Sequence, residues 1–269
     1  MNAQTPKKSF AAYDIDGSLF REQTLAMLIR QFVDRRIFSQ RAGSEYRKLR
    51  HAHASRHISF QEYNRGLIDL FLRNIKGKKV SDFRKAARGL VRKHRDLLYT
   101  FPKALLAELK STHHCIAVTG AIQEVVELAA PYWGFEEFYA TELEIVDGRY
   151  TGRDKVLHVG DKAAALRDYI AKTGVGLAGS VALGDTISDA PILSMVETPI
   201  AFHPDNALCE QAQRYRWPII HERKDCVCVV IAGVARYFSI DRIGEAVAHV
   251  LESSRRPPPD PFGSGPAIV

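Results

Sequence analysis

Cysteine is scarce in this chain, and long apolar runs are absent. The four cysteines among 269 residues are Cys115, Cys209, Cys226 and Cys228, and no two form a Cys-x-x-Cys pair. Cys226-x-Cys228 has no second half elsewhere, which argues against a zinc or disulfide framework. Cys115 falls in an apolar run that reads as a buried strand. Reduced thiols in a cytoplasmic protein are the expectation. No run reaches the roughly eighteen apolar residues that a spanning helix needs; the longest apolar stretch, near Val227–Val234, is short and interrupted. The opening residues MNAQTPKKSF carry two lysines with no apolar core behind them, so a secretory signal is not expected.

Acidic residues are scarce in one part only. Residues 21–112 hold 22 Lys and Arg against 8 Asp and Glu, a balance of +14, while the rest holds 16 against 23, a balance of −7. A basic segment beside an acidic remainder suggests two units with different tasks. Its positive potential suits anionic ligands, phosphates first among them. A solvated, arginine-rich helical surface explains the same numbers.

Ser9–Tyr13 reads as a short buried strand ending in the polar turn Asp14-Ile15-Asp16-Gly17. The period then changes. Leu25, Leu28, Ile29, Phe32 and Val33 recur at helical spacing, and Ser59-Phe60-Gln61-Glu62 is a capping box opening a helix through Tyr63, Leu67, Leu70 and Phe71. Ser81 is placed to cap a further helix. Residues 21–100 thus read as helices without strands. Alternation resumes with a helix from Pro102, a strand at His114–Thr119, a helix from about Ile122 and a hairpin over Glu142–Tyr150 turning at Asp147-Gly148. A helix near Asp161–Lys172 and a strand at Ser180–Leu183 follow, then helix, strand and helix to about Tyr215. Cys226–Val230 reads as a strand and Ile240–Leu251 as a helix. From Ser253 the Pro, Gly and Ser content predicts a disordered tail. Strands alternating with helices predict a mainly parallel sheet covered on both faces.

In such sheets ligands bind at the carboxyl ends of the strands. Three predicted strands end in polar groups: Asp14 with Asp16, Thr119, and Asp185 with Asp189. Lys162 opens a helix between the second and third. Each has a bland reading alone, as a turn, a helix start or a surface lysine. If the strands are neighbours, four carboxylates, a hydroxyl and an ammonium converge on one crevice.

The segments YDIDGSLF (Tyr13–Phe20), AVTG (Ala117–Gly120), GDKAAAL (Gly160–Leu166) and LGDTISDAPIL (Leu183–Leu193) resemble, in order, the four motifs of the haloacid dehalogenase (HAD) superfamily. The helical block between the first two resembles the inserted cap of its phosphoserine phosphatase-like branch (subfamily IB), as do Phe138–Gly152 and TPIAFHPDNAL (Thr198–Leu208). The resemblance implies an α/β fold, a Rossmann-like parallel sheet core with an inserted all-helical cap. The expected boundaries are 1–19 and 101–252 for the core, 20–100 for the cap and 253–269 for the tail.

It also implies roles. Asp14 would attack phosphorus and carry an aspartyl phosphate, while Asp16 would protonate the leaving oxygen and later accept a proton from water. Mg²⁺ would be held by Asp14, the main-chain carbonyl of Asp16 and Asp185, with Asp189 as a further ligand or a neighbour to the ligands. Thr119, Gly120 and Lys162 would hold the phosphate, helped by main-chain N–H groups near Gly17. An acid at position 16 favours phosphoryl transfer over dehalogenation, and the lack of membrane helices argues against a transport ATPase.

Some positions depart from the branch. Ser18 stands for threonine and Ser188 for asparagine. Gln23 stands where a glutamate would meet the substrate's amino group, so phosphoserine itself is not the clear substrate. Arg65 falls near a cap arginine that contacts substrate there. The loose cluster His51, His53 and His57 lacks a partner carboxylate or cysteine and reads as basic surface, and His203 as a loop residue without a catalytic role. The expected partner is a small phosphorylated substrate. Alternatives are transfer to an alcohol acceptor, or a phospholipid-related phosphatase whose basic cap touches an anionic surface. Nucleic acid is not expected as a partner, and nothing in the sequence sets an oligomeric state.

Overall fold

Strand β1 (Ser9–Tyr13) is buried on both faces from Phe10 onward, as its unbroken apolar run requires. It pairs in parallel with β2 (His113–Ile122) on one side and β5 (Val181–Gly184) on the other. The computed structural model describes residues 9–156 and 161–253. The expected tail, from residue 254 on, lies outside the described residues, as does Gly160 of the third motif.

The sheet extends outward from β1. Beyond β2 lie β3 (Glu137–Val146), parallel, and β4 (Arg149–Val156), antiparallel. Beyond β5 lie β6 (Thr198–Phe202) and β7 (Ile219–Arg223), parallel, then β8 (Cys226–Ile231) and β9 (Val234–Ser239), antiparallel. The order is β4-β3-β2-β1-β5-β6-β7-β8-β9. Helices α5 (Thr100–Leu109), α6 (Gln123–Trp133) and α10 (Ile243–Ser253) cover one face, and α7 (Lys162–Thr173), α8 (Ala190–Ser194) and α9 (Asn206–Tyr215) the other. The Asp147-Gly148 turn joins β3 to β4 with both residues at positive φ, 50° and 70°, the conformation of a two-residue type I′ hairpin.

Between β1 and α5 the chain forms α1 (Thr24–Asp34), α2 (Gln40–Ala54), α3 (Phe60–Ile75) and α4 (Val80–His94). Phe32, Phe38, Phe71 and Phe83 pack ring on ring at their centre. The Ser59–Glu62 capping box opens α3. Ser81 does not cap α4. The helix starts two residues earlier, with Lys79 at its N-cap, where Val80 N donates to the Gly148 carbonyl at 3.1 Å and ties the start of the helix to the hairpin.

The two crossings between this helical unit and the sheet run side by side. Phe20 and Leu98 form an antiparallel bridge, and Arg21 N donates to Leu97 O at 2.9 Å. Arg21 reaches further, with Nε on Leu98 O at 2.8 Å, its guanidinium over the Tyr99 ring and Nη2 on Glu222 Oε1. Glu222, buried on β7, also accepts from the Phe101 N–H at 2.9 Å. One carboxylate thus holds both crossings to the sheet.

Candidate active site

Asp14 is the residue at which β1 stops, and it is 4% exposed. Its own N–H still donates to Leu183 O on β5 at 2.9 Å. The next residues fold into a tight turn in which the N–H groups of Leu19 and Phe20 converge on Ile15 O. Gly17 sits in that turn at φ +84°, and a Cβ there would lie 2.1 Å from Asp185 Oδ2. No L-side chain fits beside that carboxylate or adopts that backbone readily. The Ser18 hydroxyl donates to the other oxygen, Asp185 Oδ1, at 3.1 Å. The first and fourth motifs are thereby joined.

Lys162 enters from the N-terminus of α7, a helix capped by the Asp161 carboxylate on Ala164 N. Its ammonium is buried and donates to Asp14 Oδ1 at 2.7 Å and Asp189 Oδ1 at 2.5 Å. The second Asp189 oxygen accepts from the N–H groups of Asp185 and Thr186 at 3.1 and 2.9 Å. Asp189 therefore orients the Asp185 loop and Lys162 together. Thr119 is fully buried within β2, where the register with β3 shifts after Val118, and its Oγ1 accepts from Ala121 N at 3.1 Å. The Gly120 carbonyl accepts from Thr141 Oγ1 at 2.9 Å.

Asp16 has two unlike oxygens. Oδ2 accepts from Thr24 N and Thr24 Oγ1 at 2.9 and 2.7 Å, while Oδ1 is buried without a hydrogen-bond partner. Burial pushes this carboxyl up to about 7, opposed by the Thr24 hydrogen bonds. Burial also raises Asp14 against the pull of Lys162, and it raises Asp185 well above the usual carboxylate range, with Asp14 and Asp189 adding to the effect.

These groups line one cavity of about 90 Å³, measured to the centres of water-sized spheres. Asp14, Asp16, Thr119, Gly120, Lys162 and Asp185 meet there, and Asp189 stands behind Lys162. Gln23 lines it as well. Its other wall is the face of α3 bearing Phe60, Asn64, Ile68, Phe71 and Leu72. Arg65 is exposed on α3 and does not line this cavity; the neighbouring Asn64 does. The sequence reading did not single out Thr24, Asn64 or Asp154. The only available signals were the Asn64 position on the apolar face of α3 and strand alternation for Asp154. Among the described residues, the histidines in 51–57 join no group with metal-ligand spacing. His53 stacks on Tyr63 with centroids 4.7 Å apart.

Residues 11–194 match the family model described as haloacid dehalogenase-like hydrolase. The chain belongs to the haloacid dehalogenase-like hydrolases. Similar proteins include a putative hydrolase of Mycobacterium leprae, 35% identical over 104 residues (38% of this chain and 35% of the relative). A phosphoserine phosphatase of Mycobacterium tuberculosis is 34% identical over 104 residues, 38% of this chain and 34% of that protein. The matched segment thus spans about a third of the length of these curated relatives. Among solved structures, a protein of unknown function from Bordetella pertussis superposes with TM-score 0.63 at 23% identity, over 79% of this chain and 97% of its own. A phospho-aspartyl intermediate analogue of phosphoserine phosphatase superposes with TM-score 0.56 at 22% identity, covering 81% and 95%. The fold is shared with both.

This haloacid dehalogenase-like hydrolase has a donor set that fits a hard divalent cation. Asp14, Asp185 and Asp189 each present an oxygen, all within 4.8 Å of one another. The cavity lining as a whole holds four aspartates and one lysine, a balance that would repel a phosphate dianion. A dication between the carboxylates would offset most of that negative charge and lower their raised proton affinities.

Proposed function

We propose that the protein is a Mg²⁺-dependent phosphomonoesterase that hydrolyses a small cytoplasmic phosphate ester through an aspartyl phosphate on Asp14. The observation that carries the reading is the convergence of Asp14, Asp16, Lys162 and Asp185 on one buried cavity. Family membership, and relatives named as phosphatases, support it. None of the four cysteines is in a disulfide, which suits a reducing compartment. Among the described residues no helix is long and apolar enough to cross a membrane.

In the first step an Asp14 oxygen bonds to phosphorus as the ester P–O bond breaks. Asp16 gives its proton to the departing alcohol oxygen, and the partnerless Oδ1 is the atom suited to do so. In the second step water bonds to phosphorus and Asp16 takes its proton. The bond from phosphorus to Asp14 then breaks, releasing phosphate. Lys162, fixed between Asp14 and Asp189, offsets charge on the phosphoryl oxygens, and Thr119 and the N–H groups near Gly120 orient them. Mg²⁺ would be held by Asp14 and Asp185, beside Asp189 and with the Asp16 carbonyl, and when bound it supplies charge neutralisation and polarisation of the phosphoryl group.

Asp14→Asn tests the reading. Phosphate release from p-nitrophenyl phosphate is expected to fall at least about 10³-fold with an unchanged circular dichroism spectrum. The wild type is expected to stop in EDTA and recover in excess Mg²⁺. Full activity in the Asp14→Asn protein, with the asparagine confirmed intact by mass spectrometry, would overturn the proposal.

A further inference from the structure

Away from the phosphate end, the cavity has a distinct chemistry. Its α3 wall is apolar apart from Asn64: Phe60, Ile68, Phe71 and Leu72 all face it. Leu25 and Leu143 close the sides. Among the described residues the only cation in the lining is Lys162, and its ammonium is already engaged by Asp14 and Asp189. A substrate carboxylate would therefore find no guanidinium or free ammonium to replace its water.

One charged group remains on that lining, the carboxylate of Asp154 on β4. Strand alternation sets it apart from its neighbours. Arg153 pairs with Glu144 and Lys155 with Glu142, each at 3.0 Å, on the face that Glu142 and Glu144 share. Asp154 stands opposite Leu143 in the ladder and turns with it to the cavity. Both flanking cations are thus consumed on the other side, and no ion pair within the described residues engages Asp154. An exposed carboxylate at the rim, with an aromatic and aliphatic wall beside it, suits a cation on a short carbon skeleton. The Phe60 and Phe71 rings add a favourable surface for positive charge. The same carboxylate repels a second anion.

We infer that the alcohol portion of the substrate is an amine on a short apolar skeleton without a carboxylate, with Asp154 facing the amine. This rests on the phosphatase reading of the same cavity. It separates the preferred ester from phosphoserine, which carries the amine and a carboxylate together.

Three esters form a matched series: O-phosphoserine, 2-aminoethyl phosphate (the same skeleton without the carboxylate) and ethyl phosphate (without either group). With Mg²⁺ present, kcat/KM for 2-aminoethyl phosphate is expected to exceed that for phosphoserine by about tenfold or more, since an anion without a partner is rejected strongly. It is also expected to exceed ethyl phosphate. Asp154→Asn is expected to lower the ratio of 2-aminoethyl to ethyl phosphate by about threefold, the scale of one exposed ion pair. Phosphoserine turned over as well as 2-aminoethyl phosphate would overturn the inference, and so would a ratio that Asp154→Asn leaves unmoved. Failure to hydrolyse any ester, p-nitrophenyl phosphate included, is a different result and removes the phosphatase reading. The same three compounds are then titrated into the Mg²⁺-loaded protein. Tightest binding of 2-aminoethyl phosphate supports the assigned specificity, and tightest binding of phosphoserine overturns it.

Discussion

The two oxygens of Asp16 divide its work. Thr24 anchors Oδ2 with two hydrogen bonds, and Oδ1, which has no hydrogen-bond partner, is the atom the proposed mechanism uses. A positioned acid matters most when the leaving oxygen is a poor one. Asp16→Asn keeps the shape and removes the proton. Its kcat is expected to fall about 10²–10⁴-fold for an alkyl phosphate and far less for p-nitrophenyl phosphate, whose phenolate leaves unaided. Equal losses for both esters would show that Asp16 positions rather than protonates. The convergence of Asp14, Asp16, Thr119, Lys162 and Asp185 on one cavity was legible in the sequence because motif order fixes which strand ends meet. Thr24 was not, since eight residues separate it from Asp16 and only the folded turn brings them together. Arg65 is exposed outside the cavity lining, while Asn64 beside it lines the cavity. A helix presents each successive residue about 100° further round, so an alignment one position off moves a side chain from cavity to solvent.

At the scale of elements, Glu222 is the latch of the helical unit. It accepts from Phe101 N and pairs with Arg21, so β7 holds both crossings at once. Glu222→Ala orphans a buried N–H, a cost of about 1–3 kcal/mol. The ion pair adds no more than about 1 kcal/mol, because Arg21 is 44% exposed and screened by solvent. Urea unfolding is expected to show the sum, about 1–4 kcal/mol, with Glu222→Gln closer to wild type since its amide oxygen still accepts. A loss below about 0.5 kcal/mol would mean that the crossings hold without the latch. Neither β7 nor β9 was legible beforehand. The β9 side chains are exposed almost throughout, Tyr237 at 73%, so no alternation of apolar and polar residues marks the strand. Helix α2 was unmarked too, with only Ala42, Gly43 and Tyr46 buried among fifteen residues. By contrast, the Asp147-Gly148 hairpin and the Ser59 box were readable because local chemistry decides them.

For the whole molecule, pH acts on stability through groups of opposite sign. His203 is packed against Tyr99, Phe202 and His221, and its Nε2 accepts from Glu222 N at 3.1 Å. Burial, with His221 and Arg21 nearby, holds it below the ordinary histidine value of 6.5, outweighing the Glu222 carboxylate. The folded state therefore binds this proton less readily than the unfolded chain. His203 contributes stability above pH 6.5 that is lost as pH falls from 6.5 through its lower folded value. The carboxyls of Asp14, Asp16 and Asp185 are raised and pull the other way. The informative quantity is thus the difference between wild type and His203→Gln, in which the carboxyl contributions cancel. The unfolding free energy of the wild type is expected to fall relative to the variant between about pH 7.5 and about pH 5.5, and a constant difference over that range would count against the assignment.

The bridge between Phe20 and Leu98 marks where the chain leaves the sheet and where it returns. Helices α1 to α4 are inserted in the chain at this paired crossing, and the β3–β4 hairpin braces them at a second place, where Val80 N meets Gly148 O. A different lid could be grafted there without shifting the strand ends that bear Asp14, Thr119 and Asp185. On the proposed reading, the contacts that α3 makes with a substrate can accordingly vary while the bond-breaking groups on the sheet stay in place.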